Sequence, residues 1–344
     1  MRESKHMKRA AIVMLAVFAS AASLAASAAS RPDWAYAVPG PGDAEPPFHD
    51  DGRTYSLPGS EGHFTYNKIQ GQSGEKSVRV APADWYPGDH PAMPKIVAEG
   101  DNARGITACS LCHYPNGKGR PQNAGLAGLS AEYIVNQLHD MRDDLRTSSE
   151  PRKVNAQQMV GFAKAMTEPE IEAAAKYFSA MKWSPWIRVV ESPTAPKVRS
   201  SDGMWLKREG SEPIAGRIIE TPLDAGRTET LRDPHSGFVA TVPPGAVAKG
   251  RRIVTTGDGG RTLPCAICHG ENLAGVGSIP GIAGRDPNYI ARQLYDIQQG
   301  ARHGVMTQLM KPVVAKLDAA DILAIAAYAA SLPVPGAGTA GKSQ

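Results

Sequence analysis

The four cysteines of this 344-residue chain fall into two short strings with identical spacing. Cys109–His113 reads CSLCH and Cys265–His269 reads CAICH. On a helix, residues at i, i+3 and i+4 share one face, so each string would present two thiols and an imidazole to the same side. Cys-x-x-Cys-His is the attachment signature of c-type haem, with thioether bonds to the ring and the histidine on the iron. We therefore predict two covalently bound c-type haems.

Other cysteine chemistry explains the strings less well. A shared zinc site would need segments 156 positions apart to converge, and tandem copies do not usually face one another in this way. Disulfides are the default in an exported chain, but two vicinal disulfides or a thioredoxin-like pair leave both histidines unexplained. No βαβ pattern surrounds either pair. Haem attachment is the interpretation that uses all six residues.

The chain repeats itself around these strings. The same offset of 156 relates Tyr133 to Tyr289, and after a five-residue difference an offset of 151 relates Met159 to Met310. A shared register over roughly 70 residues predicts two copies of one structural unit. Other pairs in register are Ile134 with Ile290, Gln137 with Gln293, Leu138 with Leu294, Arg146 with Arg302, and Tyr177 with Tyr328.

The repeat also selects the sixth iron ligands. Only Met159 is paired with another methionine, Met310, so we predict His/Met ligation in both copies. A thioether ligand favours ferrous iron and raises the reduction potential, which suits an electron carrier. The alternative is that both are core methionines. The other candidates lack a like partner: Met141 meets Ile297, Met166 meets Leu317, Met181 meets Leu332, Met306 meets Asn155, His139 meets Tyr295, and His303 meets Thr147.

The predicted site is therefore the same in each copy, and it includes no catalytic residue. The predicted iron ligands are His113 with Met159, and His269 with Met310. The predicted haem-binding residues are Cys109, Cys112, His113, Met159, Cys265, Cys268, His269 and Met310.

Residues beyond the ligands are also candidates for the site. Tyr133, Tyr289, Arg146 and Arg302 are expected to pack against the porphyrin or reach its propionates, or else to be plain helix-surface or core residues. A carbonyl in the segment 280–284 is expected to accept a hydrogen bond from the proximal imidazole. The first copy has Ala124 where the second has Pro280. We therefore expect a looser first pocket and two different potentials.

The elements that must position these residues are mostly helical. Thr167 and Glu170 form a capping box, and Asp318 and Asp321 occupy the same places in the second copy. Apolar side chains at helical spacing follow both. Two further amphipathic helices are predicted at about Ala131–Arg142 and Pro287–Gln299, and short strands are predicted at Trp186–Val190, Arg217–Glu220 and Phe238–Val242.

The predicted organisation has six segments. Basic residues followed by an apolar stretch and small residues predict a cleaved signal peptide over 1–29, with a retained anchor as the alternative. A Pro/Gly-rich extension over 30–90 and a first cytochrome c domain over 91–184 follow. An interdomain segment containing β-strands (185–245), a second cytochrome c domain (246–335) and a flexible tail (336–344) complete the chain. The leader holds most of the formal net charge of +4, so nucleic-acid binding has little support.

The attachment strings, the Tyr-Ile-x-x-Gln-Leu stretches from Tyr133 and Tyr289, and the paired methionines resemble class I c-type cytochromes. The similarity is to the tandem two-domain kind typified by cytochrome c4, over about 95–183 and 246–335. This resemblance implies two α-helical domains, each enclosing one haem, with the haems close enough for electron transfer between them. It also implies a periplasmic shuttle between quinol-oxidising enzymes and terminal oxidases or reductases. The long extension and interdomain segment depart from the simplest members and are compatible with a dedicated partner.

The predicted function is periplasmic electron transfer between a respiratory or dehydrogenase donor and a downstream acceptor, without enzymatic activity of its own. The chain would act as a free carrier or as the cytochrome subunit of an oxidoreductase complex, and peripheral membrane association is compatible with either role. The alternative is a dihaem peroxidase-like enzyme, which needs an open sixth position and an acid–base residue. A third hypothesis is an interaction protein whose segment 185–245 docks on a partner enzyme.

Overall fold

The structure is a computed structural model that describes residues 30–41, 43, 52–73 and 79–334. The predicted signal peptide and the predicted tail lie outside these ranges. Within them, no helix combines the length and the apolar character needed to cross a membrane.

Helices dominate the two regions that carry the cysteine strings, and strands dominate the segment between them. The α-helices are α1 Tyr66–Ile69, α2 Lys95–Ala98, α3 Cys109–His113, α4 Ala131–Arg142, α5 Val154–Ala165, α6 Glu168–Ser179, α7 Ala246–Thr256, α8 Ala266–His269, α9 Pro287–Gln298, α10 Lys311–Val314 and α11 Ala319–Ser331. The strands are β1 Thr54–Tyr55, β2 Phe64–Thr65, β3 Gly100–Asp101, β4 Ile106–Thr107, β5 Ile187–Glu191, β6 Thr194–Ser201, β7 Met204–Pro213, β8 Ile219–Pro222 and β9 Phe238–Val242.

The first apolar core is formed mainly by α4, α5 and α6 around Ile134, Ile171 and Phe178. Ser130 caps α4 by accepting a hydrogen bond from the backbone of Tyr133 at 3.2 Å. The predicted capping box at the start of α6 is present. These local signals explain why the helix predictions over 131–142 and after Thr167 are confirmed.

A second apolar core lies between α7, α9 and α11, around Ile253, Ile290 and Ile322. The predicted capping box of Asp318 and Asp321 starts α11, and α9 matches its predicted span to within one residue. A Cβ atom built on Gly250 of α7 would lie 1.9 Å from the Ala324 carbonyl oxygen of α11. Glycine therefore lets these two helices cross at close range. The domain boundaries at 91–184 and 246–335 remain predictions.

The segment between the cores is a small β insert. Strand β9 is central, parallel to β5 and antiparallel to β8. Two predicted strands are found near their predicted positions, while β8 begins two residues after the predicted Arg217. The longest pair, the β6–β7 hairpin, was not predicted. Its turn, Asp202-Gly203, has φ of 46° and 77°, as a two-residue turn with both residues left-handed requires.

The N-terminal extension packs against this insert and against the second core. Trp85 donates its indole Nε1–H to the Leu231 carbonyl at 2.7 Å. Trp205 of β7 donates in the same way to the Trp34 carbonyl at 2.7 Å. Ala35 and Tyr36 are buried in the second core. The extension and the insert therefore form one continuous cover, and its position is set by contacts distant in sequence.

Candidate haem sites

The first site is a pocket built from separate elements. Helix α3 places the side chains of Cys109, Cys112 and His113 in the wall of this pocket. Helix α5 contributes Met159, which is half-buried and packs against the first core. The structure thus brings the four predicted residues to one cavity. Two other methionines, Met141 and Met166, also line it, so the choice of Met159 remains a prediction.

The second site repeats the arrangement. Cys265, Cys268 and His269 line a pocket together with Met310, which ends a 3₁₀ segment Val305–Met310. Met310 is half-buried against the second core, whereas Met306, on the same pocket, is 46% exposed. Burial is consistent with the predicted ligand, and the assignment of Met310 stays a prediction.

Both imidazoles are oriented by the same kind of hydrogen bond. His113 Nδ1 lies 2.8 Å from the Ala124 carbonyl oxygen, and His269 Nδ1 lies 2.8 Å from the Pro280 carbonyl oxygen. Because a carbonyl can only accept, Nδ1 must carry the proton, which leaves Nε2 as a free lone pair for a metal. Burial lowers the pKa of both histidines and so favours this neutral form. The expected loosening at Ala124 does not affect this bond, because the backbone supplies the acceptor.

Two of the cysteines, Cys109 and Cys265, lack the lowered thiol pKa that a redox pair needs. Burial raises the pKa of the Cys109 thiol to about 12 and that of Cys265 to about 11. A thioredoxin-like pair would need a lowered pKa. All four cysteines are free of disulfides, and no cluster of three or more metal-binding side chains occurs among the described residues. The zinc and disulfide alternatives therefore gain no support.

The pockets meet at a common wall. Tyr133, Gln137, Tyr289 and Gln293 line both of them. The walls are otherwise largely apolar, as is usual for cofactor pockets. Two thiols, one oriented imidazole and one thioether in an apolar pocket fit a covalently attached porphyrin.

Arg146 and Arg302 stand in this wall as a symmetric pair. Arg146 donates to Gln137 Oε1 at 2.8 Å and to Tyr289 OH at 2.8 Å. Arg302 donates to Gln293 Oε1 at 2.9 Å and also to Gln137 Oε1 at 2.7 Å. The candidate arginines and tyrosines thus lie at the junction of the two pockets, where they join the two regions.

The two attachment strings differ in their surroundings. Leu111 in the first string is 7% exposed, while Ile267, at the equivalent place in the second, is 70% exposed. The first string is covered by Arg232 of the insert, which donates to the Leu111 carbonyl, and by Gly71 of the extension, which lies beside the Leu111 side chain. The looser surroundings expected for the first copy are therefore not found at its attachment string, which is the more buried of the two.

Comparisons with known proteins agree with the geometry. Residues 97–182 match the family model for cytochrome c. The chain is 27% identical to the thiosulfate dehydrogenase electron acceptor of Thiomonas intermedia (strain K12), over 66% of this chain and 79% of that protein. It is 24% identical to cytochrome c4 of Pseudomonas aeruginosa, over 67% of this chain and 88% of that protein.

Among solved structures, a thiosulfate dehydrogenase from Marichromatium purpuratum matches with 28% identity and a TM-score of 0.46, over 70% of this chain but only 39% of that longer one. The sequence relatives and the family model agree with the attachment strings in pointing to one kind of protein. Together these findings support a dihaem class I cytochrome c4-like protein, and they imply covalently bound c-type haems.

Proposed function

We propose that this protein is a periplasmic electron carrier, with His113 and Met159 as the axial ligands of one iron and His269 and Met310 as those of the other. It would pass electrons between a dehydrogenase or respiratory donor and a downstream acceptor, without catalysing a reaction of its own. The haems supply one-electron transfer. The observation that carries the proposal is that each pocket combines an oriented histidine with a half-buried methionine, and that the two pockets share a wall.

The protein's own residues hold the carrier in a form suited to this role. The carbonyls of Ala124 and Pro280 fix the imidazole orientation. Both pockets are lined largely by apolar side chains, and such a lining limits the access of solvent to a bound group. The wall that contains Arg146 and Arg302 keeps the two sites at a fixed separation.

The alternative, a dihaem peroxidase-like enzyme, has less support. It requires an acid–base residue beside an open iron position. Among the described residues that line the second pocket there is no carboxylate, and His269 is the one histidine. In the first pocket the carboxylate of Asp296 already accepts hydrogen bonds from Ser149 N at 2.9 Å and from Tyr36 OH at 3.4 Å.

Of the two pockets, the second is the better site for electron exchange with a protein partner. Ile267, Leu309 and Leu263 around it are 70%, 63% and 51% exposed. A cluster of exposed apolar side chains of this kind marks an interaction surface. Because a relative is named as the electron acceptor of thiosulfate dehydrogenase, we infer that a dehydrogenase is the donor that docks here.

Ligation is tested by substituting the two methionines of the second pocket. Met310→Ala removes the proposed thioether, so it should lower one of the two reduction potentials, whereas Met306→Ala should leave both near their original values. The ferric wild-type protein should show the weak near-infrared band of Met-ligated haem at both centres, and Met310→Ala should lose half of it. Equal effects of the two substitutions would mean that Met310 is not the ligand. High-spin ferric haem with peroxide turnover in the wild type would favour the peroxidase.

The docking surface is tested by electron self-exchange, measured from NMR line broadening in mixtures of reduced and oxidised protein. Ile267→Asn should slow the second-order rate roughly tenfold, which corresponds to about 1.4 kcal/mol in the barrier. Leu223→Asn is the matched control, because Leu223 is 54% exposed on the insert. Equal rates for wild type and Ile267→Asn would place the exchange surface elsewhere.

A further inference from the structure

Besides the two haem pockets, the structure contains a polar cavity that lies next to the first of them. It has a volume of about 550 Å³ and is enclosed by the first core, the extension and the insert. It shares Cys112 with the haem pocket, so it lies next to one point of attachment of the haem ring. Among the described residues that line the cavity, four are arginines and only two carry a carboxylate.

Arg120 is the most deeply buried of these arginines. Its side chain is 3% exposed, and its Nη2 donates to Asp202 Oδ2 at 2.8 Å. Its Nε–H is buried and has no hydrogen-bond partner within the part of the chain that the structure describes. A buried donor left without an acceptor costs about 1–3 kcal/mol, so a donor of this kind on a cavity wall indicates a missing acceptor.

Arg232 places a second guanidinium in the same wall. Its side chain is 9% exposed, and its nearest carboxylate oxygen, on Asp202, is 3.9 Å away. Its hydrogen-bond acceptors are neutral: the Leu111 carbonyl, and Gln70 Oε1 at 3.2 Å. Two buried cations therefore share one carboxylate, whose side chain is itself 58% exposed.

The second carboxylate of the cavity does not balance this charge. Glu229 accepts a hydrogen bond from Ser201 Oγ and lies 3.6 Å from Arg199. An excess of buried positive charge is unfavourable unless a counter-ion is present.

We propose that this cavity binds a small divalent oxyanion of the sulfate or thiosulfate type, clamped between Arg120 and Arg232. Planar guanidinium groups match the oxygen spacing of such anions and donate more than one hydrogen bond to each. Bound beside Cys112, the anion stabilises the ferric form of the first haem and lowers its potential. Binding itself does not depend on the proposed carrier function, whereas the effect on the potential does.

Binding is tested by isothermal titration calorimetry on the purified holoprotein, with sodium sulfate and sodium thiosulfate at constant ionic strength in chloride. The wild type should bind one anion saturably, and Arg120→Gln should weaken binding at least tenfold. Arg232→Lys keeps the positive charge but removes the planar guanidinium group with its paired N–H donors, so it should weaken binding without unfolding the protein. Arg152→Gln is the control, because Arg152 is 60% exposed and paired with Glu150. Absence of saturable binding, or wild-type affinity in both Arg120→Gln and Arg232→Lys, overturns the site.

The linked measurement is a redox titration with and without saturating sulfate. If the anion binds the ferric form tenfold more tightly, the potential of the first haem falls by about 59 mV while that of the second is unchanged. Equal shifts of both potentials would mean a general salt effect and would contradict the coupling to the first haem. Because calorimetry reports binding without any redox step, its failure is distinct from a failure of the carrier function.

Discussion

Two carboxyl groups are buried together where strand β8 meets the start of helix α9. Glu220 and Asp286 are each 1% exposed, and each carboxyl group acts on the pKa of the other. Burial raises the pKa of Asp286 to about 6 and raises that of Glu220 well above its usual value. The pair therefore keeps a proton in the folded protein at a pH where both groups would be ionised in the unfolded chain.

This difference makes stability depend on pH in a defined direction. The folded state binds more protons than the unfolded state, so the free energy of unfolding falls as the pH rises. For Asp286 the contribution is fully present below its ordinary value of 3.8 and is lost as the pH rises through about 6. A rise in pKa of roughly two units corresponds to about 3 kcal/mol of folding stability. The raised pKa of Glu220 extends the loss of stability to higher pH.

Glu220→Gln tests this linkage directly. The amide can donate to the Asp286 carboxylate, so the pair no longer needs a proton, and the variant should be more stable than the wild type at pH 7.5 but not at pH 4.5. The assay is urea unfolding followed by far-UV circular dichroism at both pH values. Glu172→Gln, on the exposed face of α6, should keep the wild-type pH dependence. A Glu220→Gln variant with the wild-type pH dependence would refute the linkage.

Two further substitutions probe helix packing and the wall between the pockets. Gly250→Ala would place a Cβ atom 1.9 Å from the Ala324 carbonyl oxygen, so it should lower the unfolding free energy by about 1–3 kcal/mol or more. The control is Gly161→Ala, which should be neutral or stabilising because its Cβ atom would have no other atom within 4 Å. Thermal unfolding compares them, and equal melting temperatures would contradict the close helix crossing. Arg146→Met removes the donor to Tyr289 OH and should cost about 1–3 kcal/mol in urea unfolding. An unchanged midpoint would mean that this contact does not join the two regions.

Local sequence signals were sufficient for the helices that carry the sites. The capping boxes at Thr167 and Asp318 fix where α6 and α11 begin, because the cap residues act on the backbone of the next turn. The attachment strings also act locally, since their spacing alone places thiols and imidazole on one face. These features depend on neighbours within four residues, and they were predictable for that reason.

The cover over the first string was not predictable in the same way. It depends on Arg232 reaching Leu111 and on Trp85 reaching Leu231, contacts between residues more than 100 positions apart. Such contacts leave no periodic pattern in either segment. The β6–β7 hairpin is different, because Asp202-Gly203 between two extended runs is a recognised turn signal and would have predicted it.

The most direct measurement is the intact mass of the mature protein under denaturing conditions, followed by extraction with acidified acetone. Two haems should remain bound to each chain through Cys109, Cys112, Cys265 and Cys268. Replacing both cysteines of one string by alanine should leave one haem. A mature chain that retains fewer than two covalent haems, or that holds zinc in their place, would contradict the assignment of both pockets.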